Sequence, residues 1–232
     1  MGRIGIIGAM AQEVHKLKAH MTQVSVRNYA SMEFYQGILM GREAVVVQSG
    51  IGKVNAAVCA QILADVFEVS AIVNTGVAGS LDKDINIGDI VISTDVVEHD
   101  MDVTPLGYRK GQIPGMDLFY FEADEKLREL AVKVCRKVNP DIRVFEGRIN
   151  SGDQFISGKD VKDAIVGNFG GCATEMEGAA IGHTAVLNGI PFLVIRAISD
   201  KADDSAHMDY GAFEMMAIEH SVKLMEGMLM EL

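Results

Sequence analysis

No tryptophan occurs among the 232 residues, and there are only four prolines and three cysteines. Cys59, Cys135 and Cys172 are odd in number and form no C-x-x-C pair. That argues against a disulfide scaffold or a structural zinc, and for a reducing compartment. Basic residues are also scarce: 21 Lys and Arg face 32 Asp and Glu, for a net charge of −11. No basic stripe is visible, so nucleic acid is not an expected partner. No apolar run approaches the roughly 18 residues that span a bilayer, and no membrane partner is expected. One Arg precedes a short apolar run that reaches Gln12 and Glu13 too soon for a secretory signal, and Ile6 breaks the myristoylation pattern. The expected location is the cytoplasm.

What the chain does have is 24 glycines and 49% hydrophobic residues, the mix of a folded α/β protein with many tight turns. There is no internal repeat, low-complexity segment or composition shift, so residues 1–232 are read as one domain. Apolar runs at 3–8, 43–48, 71–74, 89–97, 143–149 and 191–198 read as buried strands, and alternation near 24–26 and 34–39 as an antiparallel pair. Helical spacing predicts helices over 10–21, with Val14 and Leu17 inward, and 53–67, with Val54, Val58, Ile62 and Val66 on one stripe. Further helices are predicted over 123–138, 159–166 and 210–229, the last with Phe213, Ala217, Leu224 and Met228 inward. The proline- and glycine-bearing stretch 102–121 reads as a long loop, of the kind that usually contacts a ligand or partner. Strands buried on both faces and alternating with helices predict a three-layer α/β/α fold with a central mixed, mostly parallel sheet.

Chemistry-bearing residues collect at the strand ends, where ligands bind in open α/β sheets. They are Met10 and Glu13, Gly50 and Gly52, Gly76 and Gly79, Phe155 and Ile156, Met176 and Glu177, and Arg196 with Asp200. The stretch Thr174-Glu175-Met176-Glu177-Gly178 joins a short strand to a packed helix. Thr174 and Glu177 have capping-box spacing, which would satisfy free N–H groups without any further function. Ser49-Gly50-Ile51-Gly52-Lys53 fails the P-loop pattern at Val47 and Val54, and no strand leads into G-x-G-x-x-G. The glycines either admit a ligand close to the backbone or simply turn the chain. His99-Asp100-Met101-Asp102 lacks a second ligand cluster at zinc spacing, so no metal is expected. Most of the 14 methionines read as core filling, whereas Met10 and Met176 stand beside candidate acids. With no Ser–His or Cys–His arrangement, Glu13, Glu177 and Asp200 point to carboxylate acid–base chemistry. Cleavage at an anomeric carbon could divide among three such groups.

Taken together, Gly5-Ile6-Ile7-Gly8-Ala9-Met10 with Glu13-Val14, Ser49-Gly50-Ile51-Gly52-Lys53, Asn74-Thr75-Gly76-x-Ala78-Gly79, Ser151-Gly152-Asp153-x-Phe155-Ile156, Glu175-Met176-Glu177 and Arg196-Ala197-Ile198-Ser199-Asp200 resemble the bacterial 5′-methylthioadenosine/S-adenosylhomocysteine nucleosidases. The resemblance runs almost end to end and in order. It implies a nucleoside phosphorylase-like fold, a homodimer, no cofactor, and hydrolysis of the adenine–ribose bond of a small nucleoside. By that match Asp200 donates a proton toward adenine N7 with Ser199 beside it, and Glu13 activates water near Arg196. Glu177 holds the ribose hydroxyls and Met176 lines the sugar. Phe155 stacks on adenine while the Ile156 backbone reads its edge. Met10, Ile51, Val103, Leu106, Tyr108, Pro114 and Tyr210 line the 5′-alkylthio pocket, the 103–114 loop reaching it from the partner subunit. Gly79 and Glu175 complete the binding set, Glu175 without a committed role.

The chain departs from the family pattern at Val77, where Ser or Thr is frequent, and at Gln12, where an acid is. Leu106 and Tyr210 stand where Phe is usual, which bears on the 5′ pocket. Rival readings are a phosphorylase of the same fold, which would want basic residues near Met10, and a futalosine-type nucleosidase differing in the 5′ group. A silent nucleoside-binding protein would not need Glu13, Glu177 and Asp200 together.

Overall fold

The computed structural model describes residues 2–232, apart from the side chains of His207 and Met208. Its strands are β1 (Ile4–Gly8), β2 (Thr22–Tyr29), β3 (Met32–Leu39), β4 (Arg42–Gln48), β5 (Ala71–Ser80), β6 (Ile90–Glu98), β7 (Phe121–Glu122), β8 (Val144–Ser151), β9 (Ala173–Glu175) and β10 (Phe192–Asp200). Its helices are α1 (Ala11–Ala19), α2 (Lys53–Asp65), α3 (Glu125–Val138), α4 (Lys159–Phe169), α5 (Gly178–Leu187) and α6 (Ala206–Glu231). The β-branched runs of β1, β4 and β5 pair in parallel at the centre of a ten-stranded mixed sheet. β2 and β3 extend it beyond β4 as antiparallel neighbours.

Side chains of the central strands divide between two faces, as period-2 alternation demands. Ile4 and Ile6 join Val14 and Leu17 of α1, Leu127 of α3 and Leu224 of α6 on one side. Ile7 joins Ala56 and Leu63 of α2 and Ala179 and Ile181 of α5 on the other. The expected helix–sheet–helix layering is therefore present.

Strand spacing alone does not disclose that the sheet closes on itself at one end. β10 pairs with β5 in parallel and with β6 in antiparallel fashion. β6 runs parallel to β8, β8 to β9, and β9 returns antiparallel to the last residues of β5. The ends of β5, β9 and β10 consequently converge, with Gly79 opposite both Thr174 and Asp200.

Two helix faces differ from expectation. On α2 the buried residues are Ala56, Cys59, Ala60 and Leu63, while Val54 is 74% exposed and Val58 is also exposed. The helix carries two apolar faces, and the face of small residues is the one that allows close approach to α5. On α6, Ala217, Leu224 and Met228 are buried as expected, but Phe213 is 38% exposed. The predicted 102–121 loop runs to residue 120, interrupted by one short 3-10 turn at Thr104–Leu106, and Phe121 opens β7.

Candidate active site

A cavity of about 360 Å³ opens where β5, β9 and β10 converge with the first turn of α1. Met10, Glu13, Ile51, Gly79, Phe155, Glu175, Met176, Glu177, Ser199, Asp200 and Tyr210 border it, together with Ala9, Val77, Ala78 and Thr174. Ile156 borders an adjoining small recess with Phe155 and Asp200. Val103, Leu106, Tyr108 and Pro114 do not border this cavity. They sit on the outlying loop, where Leu106 is 73% exposed.

Glu13 stands in the first turn of α1 and folds back over β5. Its Oε2 accepts from the Met10 N–H at 2.9 Å and its Oε1 from the Val77 N–H at 3.1 Å. The room comes from Gly76, where a Cβ would lie 3.0 Å from the Glu13 carboxyl carbon. Burial pushes the Glu13 carboxyl above its ordinary value, while the Arg196 charge and the two N–H groups pull it down. At Val77, then, the backbone contributes the polar contact.

Asp200 ends β10 just after an irregularity in its pairing with β5. Oδ1 accepts from the Ala202 N–H at 2.8 Å and Oδ2 from the Ser199 hydroxyl at 2.9 Å. Burial is the leading influence and raises its pKa, against those two donors. Asp200 therefore keeps its proton to higher pH than an exposed aspartate does.

Glu177 occupies the N-cap position of α5, but its side chain makes no cap. Its Oε1 accepts instead from the Gly52 N–H at 2.8 Å, which Gly52 presents from a backbone at φ 97°. Burial, followed by the charge of Glu175, raises Glu177 to about 7. The capping box that the Thr174–Glu177 spacing allows is absent, and the buried Thr174 hydroxyl has no partner. Glu175 supplies the cap from one residue before the turn. Its carboxylate accepts from the Gly178 N–H at 2.8 Å and the Glu177 N–H at 3.2 Å. A carboxylate facing the first N–H groups of a helix suits the positive end of the dipole.

Arg196 is 1% exposed and does not border the cavity. Its guanidinium pairs with Glu175, donating from Nε at 3.1 Å and also from Nη2, and bonds Asn74 Oδ1 at 2.5 Å. Glu177 lies further off, at 3.9 Å from Nη2. Arg196 and Glu175 thus form a buried pair beneath the three other acids, with Ser151 donating to Glu175 and accepting from the Ala179 N–H at 2.7 Å. Direct contact of Arg196 with a ligand, as catalysis by this residue would need, is not what this placement offers.

Sequence reasoning missed Ser151, Asn74 and Lys53. Asn74 carried a signal, as a lone amide at the end of the predicted apolar run 71–74, which the structure places inside β5. Lys53 bridges Glu98 at 3.0 Å and Asp100 at 2.7 Å, while its N–H bonds Asp153 at 2.8 Å. This network ties the start of α2 to the segment that carries Phe155.

A closed mixed sheet with acids gathered at the ends of β5, β9 and β10 defines a nucleoside phosphorylase-like α/β enzyme. Comparison with known proteins agrees: the phosphorylase superfamily model matches residues 3–230. A 5′-methylthioadenosine/S-adenosylhomocysteine nucleosidase of Exiguobacterium sp. strain AT1b is 43% identical over 226 residues, 96% of this chain and 95% of that protein. The crystal structure of the nucleosidase of that name from Neisseria meningitidis, in complex with methylthio-immucillin-A, superposes with TM-score 0.95 at 37% identity, covering 100% of both chains. The native structure of futalosine hydrolase of Helicobacter pylori strain 26695 follows at TM-score 0.94 and 34% identity, covering 100% of this chain and 98% of the other. The chain belongs to the phosphorylase superfamily and, within it, to the 5′-methylthioadenosine/S-adenosylhomocysteine nucleosidases.

Proposed function

We propose that this enzyme hydrolyses the N-glycosidic bond of 5′-methylthioadenosine and S-adenosylhomocysteine, releasing adenine and a 5′-thio-substituted ribose. One observation carries the reading. Glu13, Glu177 and Asp200 border one cavity in three different hydrogen-bonding environments, and none of its bordering described residues is Lys, Arg or His. Separate environments let carboxyls take separate acid, base and binding roles.

Asp200, its pKa raised by burial and its carboxyl held by Ser199, donates to adenine N7 as the bond to C1′ breaks. Glu13 takes a proton from the water that attacks C1′ on an oxocarbenium-like centre. Glu177 accepts from the ribose hydroxyls, and Met176 lies against the sugar. Phe155, 51% exposed and edge-on to Tyr210, is free to stack on the base, with Ile156 at the base's edge. Met10, Ile51 and Tyr210 form the 5′ end. Arg196 and Glu175 position the others by fixing the start of α5.

The lack of a bordering cation disfavours a phosphate co-substrate, and so a phosphorylase. It equally disfavours a 5′ substituent whose only charge is a carboxylate, unlike the zwitterionic tail of S-adenosylhomocysteine, which weighs against the futalosine-type alternative. The reading includes a homodimer in the cytoplasm, acting in methionine salvage, in which Val103, Leu106, Tyr108 and Pro114 complete the partner's 5′ pocket. The dimer is supported by exposed apolar side chains at Ile51, which borders the cavity, at Val54 and Val58 on α2, and at Leu106 and Tyr108 on the loop. Incubation with methylthioadenosine in phosphate-free buffer should lower the absorbance as adenine is released. Turnover that requires phosphate would overturn the hydrolase reading.

A further inference from the structure

Helices α1 and α6 are joined by three polar rungs. Lys16 pairs with Glu219 at 2.5 Å, and His20 with Glu226 at 2.5 Å. The rung nearest the cavity is different: Gln12 Nε2 donates to Glu214 at 2.9 Å. A neutral amide satisfies one acceptor site of Glu214 but leaves its charge uncompensated. No cationic partner of Glu214 is found among the described residues, whereas the other two acids each face a group that can carry a positive charge.

Glu214 is linked to the cavity by one side chain. The Tyr210 hydroxyl lies 2.8 Å from Glu214 Oε1 and 3.2 Å from Met10 Sδ. It has a single proton, and a carboxylate is a far stronger acceptor than a thioether, so the proton goes to Glu214. Tyr210 and Met10 both border the cavity. The negative end of the first rung therefore stands directly behind the 5′ wall. A thioether substituent passing Met10 and Tyr210 meets this wall, and the cavity offers no bordering cation to attract an anionic tail.

We infer that Glu214, presented through Tyr210 and left unneutralised by Gln12, makes the 5′ end selective for substituents bearing an ammonium group over those ending in a carboxylate alone. The inference rests on the nucleosidase reading and assigns it a direction: the aminoacyl tail of S-adenosylhomocysteine is recognised through its ammonium, which is drawn to the Glu214 charge across the Tyr210 side chain. Methylthioadenosine, with no charged tail, gains nothing from Glu214.

The test compares methylthioadenosine, S-adenosylhomocysteine and a 5′-S-(2-carboxyethyl) thioether of adenosine on the wild type, Glu214→Gln and Gln12→Lys. Glu214→Gln keeps an acceptor for Tyr210 and removes the charge, and Gln12→Lys supplies the missing cation internally. Each should lower kcat/KM for S-adenosylhomocysteine about 2- to 5-fold relative to methylthioadenosine, the scale of a partly exposed charge pair acting across one side chain. Each should also raise the relative rate on the carboxyethyl compound. Ratios unchanged in both variants would overturn the inference while leaving the nucleosidase reading intact. If the wild type releases no adenine from any of the three, the nucleosidase reading falls. Calorimetric affinities of the same compounds for the same proteins then decide Glu214 by the same ratios.

Discussion

A Cβ on Gly79 would stand 2.7 Å from Oδ1 of Asp200, closer than real Cβ atoms come to oxygen. Ala202 closes the other side, 2.8 Å from the same point. The bare backbone at Gly79 is what lets Asp200 lie flat at the end of the strand with both oxygens bonded.

Gly79→Ala should therefore act through Asp200. The expected loss in kcat is about tenfold or more, since a misplaced acid no longer reaches its target. Asp200→Asn should cost at least ~100-fold, as expected on removing a general acid. Combining the two should add little to Asp200→Asn alone, because both remove one function. Steady-state rates on methylthioadenosine give all three values, and fully additive losses would detach Gly79 from Asp200.

Arg196 is fully buried and pairs with Glu175 at the cavity floor, so removing Glu175 leaves a buried charge without its nearest partner. Glu175→Gln should destabilise the chain by about 3–5 kcal/mol in urea unfolding. Stability alone would not distinguish positioning from packing, but the pH profile does. Glu175's charge is one of the influences that raise Glu177. The variant should shift the acid limb of kcat/KM to lower pH, and an unmoved limb would deny the coupling.

Burial and the Glu175 charge push Glu177 up to about 7, from an ordinary value of 4.5. Between those values the folded chain binds the extra proton, so stability falls as pH rises through that window. The penalty is absent well below 4.5 and complete above about 7, on the order of 3 kcal/mol. Glu177→Gln cannot ionise, so its stability advantage over the wild type should grow by about 2 kcal/mol between roughly pH 5 and pH 8. Urea unfolding at the two pH values measures this, and an advantage that does not change with pH would refute it. In the wild type, kcat/KM should fall below about pH 7 as the clamp protonates.

Much of the fold was legible because burial writes itself into sequence. The β-branched run at β1 could only be an interior strand, and Val14 and Leu17 could only face the sheet. Where two apolar faces compete, as on α2, periodicity has no means of choosing. Val54 and Val58 lost to Ala56 and Ala60 because close helix packing rewards small side chains, and only the neighbouring helix sets that requirement. Phe213 likewise stays exposed because nothing in α6 itself says where its partners end.

The sequence by itself determined which residues carry charge at strand ends, and so the presence of Glu13, Glu177 and Asp200 in one site. Local hydrogen-bonding patterns placed Thr174 and Glu177 in a cap, which the tertiary structure replaced with Glu175. That exchange depends on Arg196, 21 residues away, and on Ser151, 24 residues away. No local rule counts such partners. The environments that separate an acid from a base and a clamp came only from folding. A carboxyl's affinity for its proton depends on the water it loses and the donors it meets, and both are properties of the closed sheet.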